Sequence, residues 1–99
     1  MEKDIVISKL ISEYGYSPKG AQIVIGKLNE LTPQIAELFE IWWQSGEIPS
    51  FAVHDYTIGR LMTEHKMNPI AAFFTLDWIV RFPQKAISSL IKGNDRVLW

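Results

Sequence analysis

Apolar residues recur at helical spacing in six short segments of the chain, and polar stretches containing glycine or proline separate these segments. Spacing of three and four residues between apolar positions is typical of amphipathic helices. We therefore predict an all-α protein, a compact bundle of about six short helices. The predicted helices cover residues 2–14, 18–30, 33–45, about 51–66, 69–82 and 83–92, and the tail 93–99 is too short to assign.

Three of the predicted helices begin with a capping residue followed by proline, a combination that favours the first turn of a helix. The three pairs are Ser17-Pro18, Thr32-Pro33 and Asn68-Pro69. The fourth helix has two alternative starts, since Ser50 and His54-Asp55 both resemble caps. In the sixth helix we expect the apolar residues to face inward, namely Ala86, Ile87, Leu90 and Ile91.

The fifth helix is apolar on nearly all sides, and its only charges are Asp77 and Arg81. A helix of this kind must be covered by the rest of the chain or by a partner. We expect Ile70, Phe73 and Phe74 to form an exposed apolar arc, with Asp77 and Arg81 as an ion pair at its edge. Such an arc is typical of a protein contact surface.

The chain also resembles itself when it is shifted by 51 positions. Four residues of the first half, Leu10, Glu13, Pro18 and Ala21, then match Leu61, Glu64, Pro69 and Ala72. One interpretation is a duplicated three-helix unit, with halves at 2–45 and 51–92 related by a pseudo-two-fold axis. The other is that two helical corners use the same caps by chance.

Both copies resemble the helix-turn-helix pattern of DNA-binding domains. The first copy reads Leu10-Ile11…Gly15-Tyr16-Ser17…Ala21, and the second reads Leu61-Met62…Lys66-Met67-Asn68…Ala72. The resemblance implies that the second helix of the pattern would enter the major groove. In the second copy its outward residues are apolar and cannot read base edges. The first copy offers Ser17, Lys19 and Gln22, with Lys19 as its single cation.

The amino-acid composition narrows the classes of protein to which the chain can belong. The chain has 99 residues, 47% of them hydrophobic, a net charge of −1 and no cysteine. Disorder requires fewer apolar residues, and the small charge gives no general attraction to nucleic acid or acidic membranes. The start lacks the features of a signal peptide, and the longest apolar run is too short to span a bilayer. We predict a cytoplasmic protein without a membrane segment.

The sequence offers no recognisable catalytic or metal-binding constellation. His54 and His65 would lie roughly 16 Å apart along one helix, which is too far for them to share a metal ion. Asp77 has no second catalytic group near it in the sequence. We therefore expect no enzyme activity and no cofactor.

The leading hypothesis is a non-enzymatic protein-interaction or self-association module, either a homodimer or a groove for a partner's helix. Its predicted contact surface consists of Ile70, Phe73, Phe74, Asp77, Arg81 and Trp43, with a contribution from the Val97–Trp99 tail. The alternative is a DNA-binding transcription regulator that uses Ser17, Lys19 and Gln22. A third hypothesis is a small apolar ligand held between the halves.

Overall fold

A computed structural model describes residues 3–92, and it confirms the prediction of an all-α protein. The helices are α1 (Lys3–Tyr14), α2 (Pro18–Leu28), α3 (Pro33–Ser45), α4 (Ile58–Glu64), α5 (Pro69–Arg81) and α6 (Pro83–Ile91). Residues 3–92 contain no β-strand, and their one strand-like feature is an isolated antiparallel bridge between Val53 and Tyr56.

The predicted caps explain where two helices begin. The Ser17 hydroxyl accepts a hydrogen bond from the Gly20 N–H at the start of α2. The Asn68 side chain accepts one from the Ala71 N–H at the start of α5. Each bond satisfies one of the N–H groups that the first turn of a helix leaves without a backbone partner.

Both predicted starts of the fourth helix were wrong, because α4 begins only at Ile58. His54 and Asp55 have positive φ values, 48° and 70°, which a right-handed helix cannot contain. These two residues instead form the tip of a turn that is closed by two backbone hydrogen bonds between Val53 and Tyr56. Thr57 caps α4 by accepting a hydrogen bond from the Arg60 N–H.

The described chain divides into two compact units, residues 3–31 and residues 32–92. In the first unit α1 packs against α2. In the second unit α5 is central, since α3, α4 and α6 all pack against it. The predicted junction near Gly46–Ser50 lies inside the second unit, whereas the observed division follows Leu31.

The two corners of the sequence repeat have the same local structure. Each first helix ends at a residue with positive φ, Gly15 at 74° and Lys66 at 55°, 51 positions apart. After each of these residues a backbone N–H reaches back to the matching leucine carbonyl, Tyr16 to Leu10 and Met67 to Leu61. This hydrogen bond and the positive φ are the features of a Schellman C-cap.

Side chains near the corners match as well. The leucines and alanines that correspond in the repeat, Leu10 with Leu61 and Ala21 with Ala72, are all fully buried. The third helices of the two halves differ in their packing partners. α6 packs against α5, which belongs to its own half, whereas α3 belongs to the first half and packs against α5 of the second. The repeat is thus a repeat of helical corners, and a common origin for the two halves stays a prediction.

Candidate interaction surface

The predicted apolar arc on α5 is not a surface, and this part of the interaction hypothesis was wrong. Ile70 and Phe73 are fully buried and Phe74 is 5% exposed. The Phe73 ring lies 5.2 Å from the Phe39 ring and 5.4 Å from the Trp42 ring of α3, measured between centroids. The arc is buried because α5 packs against three helices of its own unit, so its apolar residues form the core.

Asp77, which we expected at the edge of that arc, is also buried, with 8% of its surface exposed. The predicted ion pair exists, with Asp77 Oδ2 3.0 Å from Arg81 Nε. The other carboxylate oxygen accepts two hydrogen bonds from Thr32, one from its N–H at 2.9 Å and one from its hydroxyl at 2.7 Å. Asp77 therefore joins α5 to the start of α3, a structural role.

The remaining predicted contact residues are partly accessible. Arg81 is exposed beside its partner Asp77. Trp43 is half-buried, and its ring stacks on Phe39 with 5.8 Å between centroids. The Val97–Trp99 tail lies outside the described residues. Neither Trp43 nor Arg81 forms part of a continuous apolar surface with the α5 residues, since those are buried.

An apolar groove lies instead along α6. Its volume is about 520 Å³, and it is lined by His54, Pro83, Gln84, Ile87, Ser88, Ile91 and Lys92. Ile91, which we expected to face inward, is 76% exposed, and Ile87 is half-buried. Among the described residues that line the groove, Lys92 is a cation and none is a carboxylate, so this part of the groove combines apolar side chains with a basic end.

The sequence contained a signal for this groove. The four apolar residues of the sixth segment form two pairs, Ala86 with Leu90 and Ile87 with Ile91, and each pair is spaced by four residues. Neighbouring positions on a helix point about 100° apart. One pair can therefore face the core while the other lies beside it, and Ala86 and Leu90 are the pair that is buried.

Arg60 of α4 contacts the turn that carries His54 at two points. Arg60 Nη1 donates a hydrogen bond of 3.0 Å to the Asp55 carbonyl, and its guanidinium lies 4.5 Å from the centre of the Tyr56 ring. Arg60 Nε also pairs with Glu64 at 3.1 Å. This one side chain therefore links the turn, which contributes His54 to the groove, to α4.

The predicted DNA-contacting residues are all exposed on or next to α2. Lys19 and Gln22 are three residues apart and share a face of the helix. The Ser17 hydroxyl caps this helix by accepting from Gly20. Two exposed side chains, one of them a cation, thus remain for contacts with a nucleic acid.

Within residues 3–92, no group of three or more His, Cys, Asp or Glu side chains is placed to hold a metal ion. No helix in that range is long and apolar enough to cross a membrane. Comparison of the chain with protein-family models, curated proteins and solved structures finds no match.

Proposed function

We propose that the protein is a non-enzymatic interaction module and that its contact surface is the groove along α6. The carrying observation is the exposure of Ile91 at the edge of an apolar groove. Exposed apolar surface of this kind is typical of sites that bind protein. The groove replaces the α5 arc as the proposed site.

The occupant that fits this groove is an amphipathic helix with acidic residues beside its apolar face. Helix-in-groove recognition requires an apolar strip, which Ile87 and Ile91 supply. Lys92 lines the groove and Lys85 is exposed on the same helix, while α6 contains no acidic residue. Opposite charges around an apolar contact favour the correct partner and disfavour basic ones.

Binding of two synthetic peptides to the full chain tests this function. Both peptides would be helical and carry one leucine strip, flanked by glutamates in the first and by lysines in the second. We expect fluorescence anisotropy to show tighter binding of the glutamate peptide and a loss of about tenfold or more in Ile91→Asp.

Ile23→Asp is the matched control, since Ile23 is an exposed isoleucine of α2, at 49%. It introduces the same charge outside the groove and should leave peptide binding unchanged. Equal weakening by both variants would contradict the proposal. So would the absence of binding to either peptide together with a monomeric wild-type protein.

A second candidate function is DNA binding through α2, favoured by the exposure of Lys19 and Gln22 on one face near its start. Helix-turn-helix proteins make base contacts from this part of the second helix. Joint replacement of Lys19 and Gln22 by alanine should then abolish a salt-sensitive affinity for duplex DNA. No gel shift of wild type at low salt would remove this candidate.

A further inference from the structure

We infer that the occupant of the α6 groove is the outer face of α3 from a second copy of the chain. The inference rests on the proposed function, because it names the partner of the same groove. The outer face of α3 contains Glu37, Glu40, Ile41 and Gln44, all exposed. Glu40, Ile41 and Gln44 follow Glu37 by three, four and seven residues, so all four lie on one side of the helix.

The α3 face has the features that the groove requires. Ile41 lies on this face and is 51% exposed, and it is the one exposed large hydrophobic residue of α3. Glu37 and Glu40 lie beside Ile41 on the same face, four residues and one residue before it, and α3 contains no basic residue. The groove in turn has Ile91 beside Lys92, and its lining within residues 3–92 contains no carboxylate. The two surfaces therefore complement each other in charge, and each has an exposed isoleucine.

Both surfaces belong to the unit of residues 32–92, so every copy carries one of each. A contact between two different surfaces is heterologous, and it repeats from copy to copy unless a ring closes. We therefore expect head-to-tail assemblies whose mass increases with concentration. An isologous dimer through the groove would bring together two copies of a patch whose charged lining residue in residues 3–92 is Lys92, so it would pair no acidic side chain with this lysine.

A charge-reversal experiment on the full chain tests this arrangement. One variant, Lys85→Glu with Lys92→Glu, reverses the charge of α6. The other, Glu37→Lys with Glu40→Lys, reverses that of α3. All four residues are exposed, so their replacement leaves the core intact. Circular dichroism verifies the fold, and sedimentation velocity measures the mass over a range of protein concentrations.

Each double variant should associate at least about tenfold more weakly than wild type, since like charges then face each other across the contact. Association should return when all four changes are combined in one chain. It should also return when the two double variants are mixed, because each then offers a complementary surface to the other. If a double variant fails to fold, the decrease of wild-type association with added salt provides the same test.

A wild-type chain that stays monomeric at all concentrations would overturn the inference. Association that neither double variant weakens, or that the combined variant does not restore, would overturn it as well. If the chain is monomeric but binds the glutamate peptide, the inference fails and the proposed function stands. If the chain neither self-associates nor binds either peptide, both fail.

Discussion

The carboxylate of Asp77 holds the first residue before α3, since one of its oxygens accepts hydrogen bonds from both the N–H and the hydroxyl of Thr32. Thr32 is the N-cap of α3, yet its side chain makes no capping bond to its own helix. Its hydroxyl donates to Asp77 instead of accepting from the first turn. A residue 45 positions away in the sequence thus fixes where α3 begins.

This relationship predicts a large effect of removing Asp77. Asp77→Ala would leave the two Thr32 donors and Arg81 without their shared partner, and hydrogen bonds to a charged group contribute roughly 1.5–3 kcal/mol each. Since Thr32 is only half-buried, we expect a loss of about 2–3 kcal/mol in the free energy of unfolding. Urea denaturation measures it.

A double-mutant cycle of Asp77→Ala and Thr32→Ala isolates the contact between the two side chains, and we expect a coupling of about 0.5–3 kcal/mol. Ser17→Ala serves as the control, because Ser17 caps only its own helix and should cost about 1 kcal/mol. Additivity of Asp77→Ala and Thr32→Ala would show that the contact does not contribute to stability.

The burial of Phe73 predicts the outcome of truncating it. Phe73→Ala removes a fully buried ring that contacts Phe39 and Trp42, so it should cost about 3–5 kcal/mol. Phe82→Ala removes the same ring at a position that is 58% exposed and should change stability by less than about 0.5 kcal/mol. Thermal denaturation followed by circular dichroism compares the two variants. Similar melting temperatures would mean that α5 is not the core helix.

Helix boundaries could be predicted from the sequence because their signals are local. Proline after a capping residue marks the start of a helix, and α2, α3 and α5 begin at the predicted prolines. Where the signal was ambiguous, as at Ser50 and His54-Asp55, the prediction was wrong. The turn at His54 depends on hydrogen bonds between Val53 and Tyr56 that no local propensity indicates.

Which face of α5 is covered could not be predicted, because an apolar helix carries no polar side to show its orientation. The sequence left two possibilities for Phe73 and Phe74, covering by the chain or by a partner, and we favoured the partner. Packing of α3, α4 and α6 on this one helix decides the question, and it depends on contacts between distant segments. The ion pair of Asp77 with Arg81 was predicted correctly because both residues lie on one helix.

Ionisation of Tyr14 should make the stability of the folded chain depend on pH in the alkaline range. Burial and, to a smaller extent, the neighbouring charge of Glu13 raise the pKa of Tyr14 above its ordinary value. The unfolded chain therefore loses this proton at lower pH than the folded chain does. The resulting stability is fully present below the ordinary tyrosine pKa of about 10, and it is lost as the pH rises through the folded-state pKa.

Urea denaturation of wild type and Tyr14→Phe at a series of alkaline pH values measures this contribution. As Tyr14 ionises, the unfolding free energy of wild type should fall relative to that of Tyr14→Phe. An offset between the two proteins that does not change with pH would instead reflect other contacts of the hydroxyl. Parallel curves through the whole alkaline range would contradict the prediction. Glu13→Gln should reduce the slope only slightly, because burial is the larger cause.

The two corners of the repeat predict opposite effects for exchanging their left-handed residues. Gly15 has φ 74° with open space around its Cα, and Lys66 has φ 55° at the corresponding position. A side chain in this region of φ costs roughly 1–2 kcal/mol, which glycine avoids. Gly15→Lys should therefore destabilise the chain by about 1 kcal/mol. Lys66→Gly should stabilise it by about 0.5 kcal/mol, since the greater freedom of glycine in the unfolded chain offsets part of the gain.

Denaturation in urea measures both changes, and Gly26→Ala is the control for replacing a glycine without positive φ. Gly26 lies inside α2 with open space around it, so alanine there should stabilise by about 0.5–1 kcal/mol. A gain from Gly15→Lys, or a loss from Lys66→Gly, would show that the two corners do not share their C-cap geometry. Opposite signs at the two corners would instead confirm that one backbone conformation ends both helices, with glycine suited to it in one copy and lysine strained in the other.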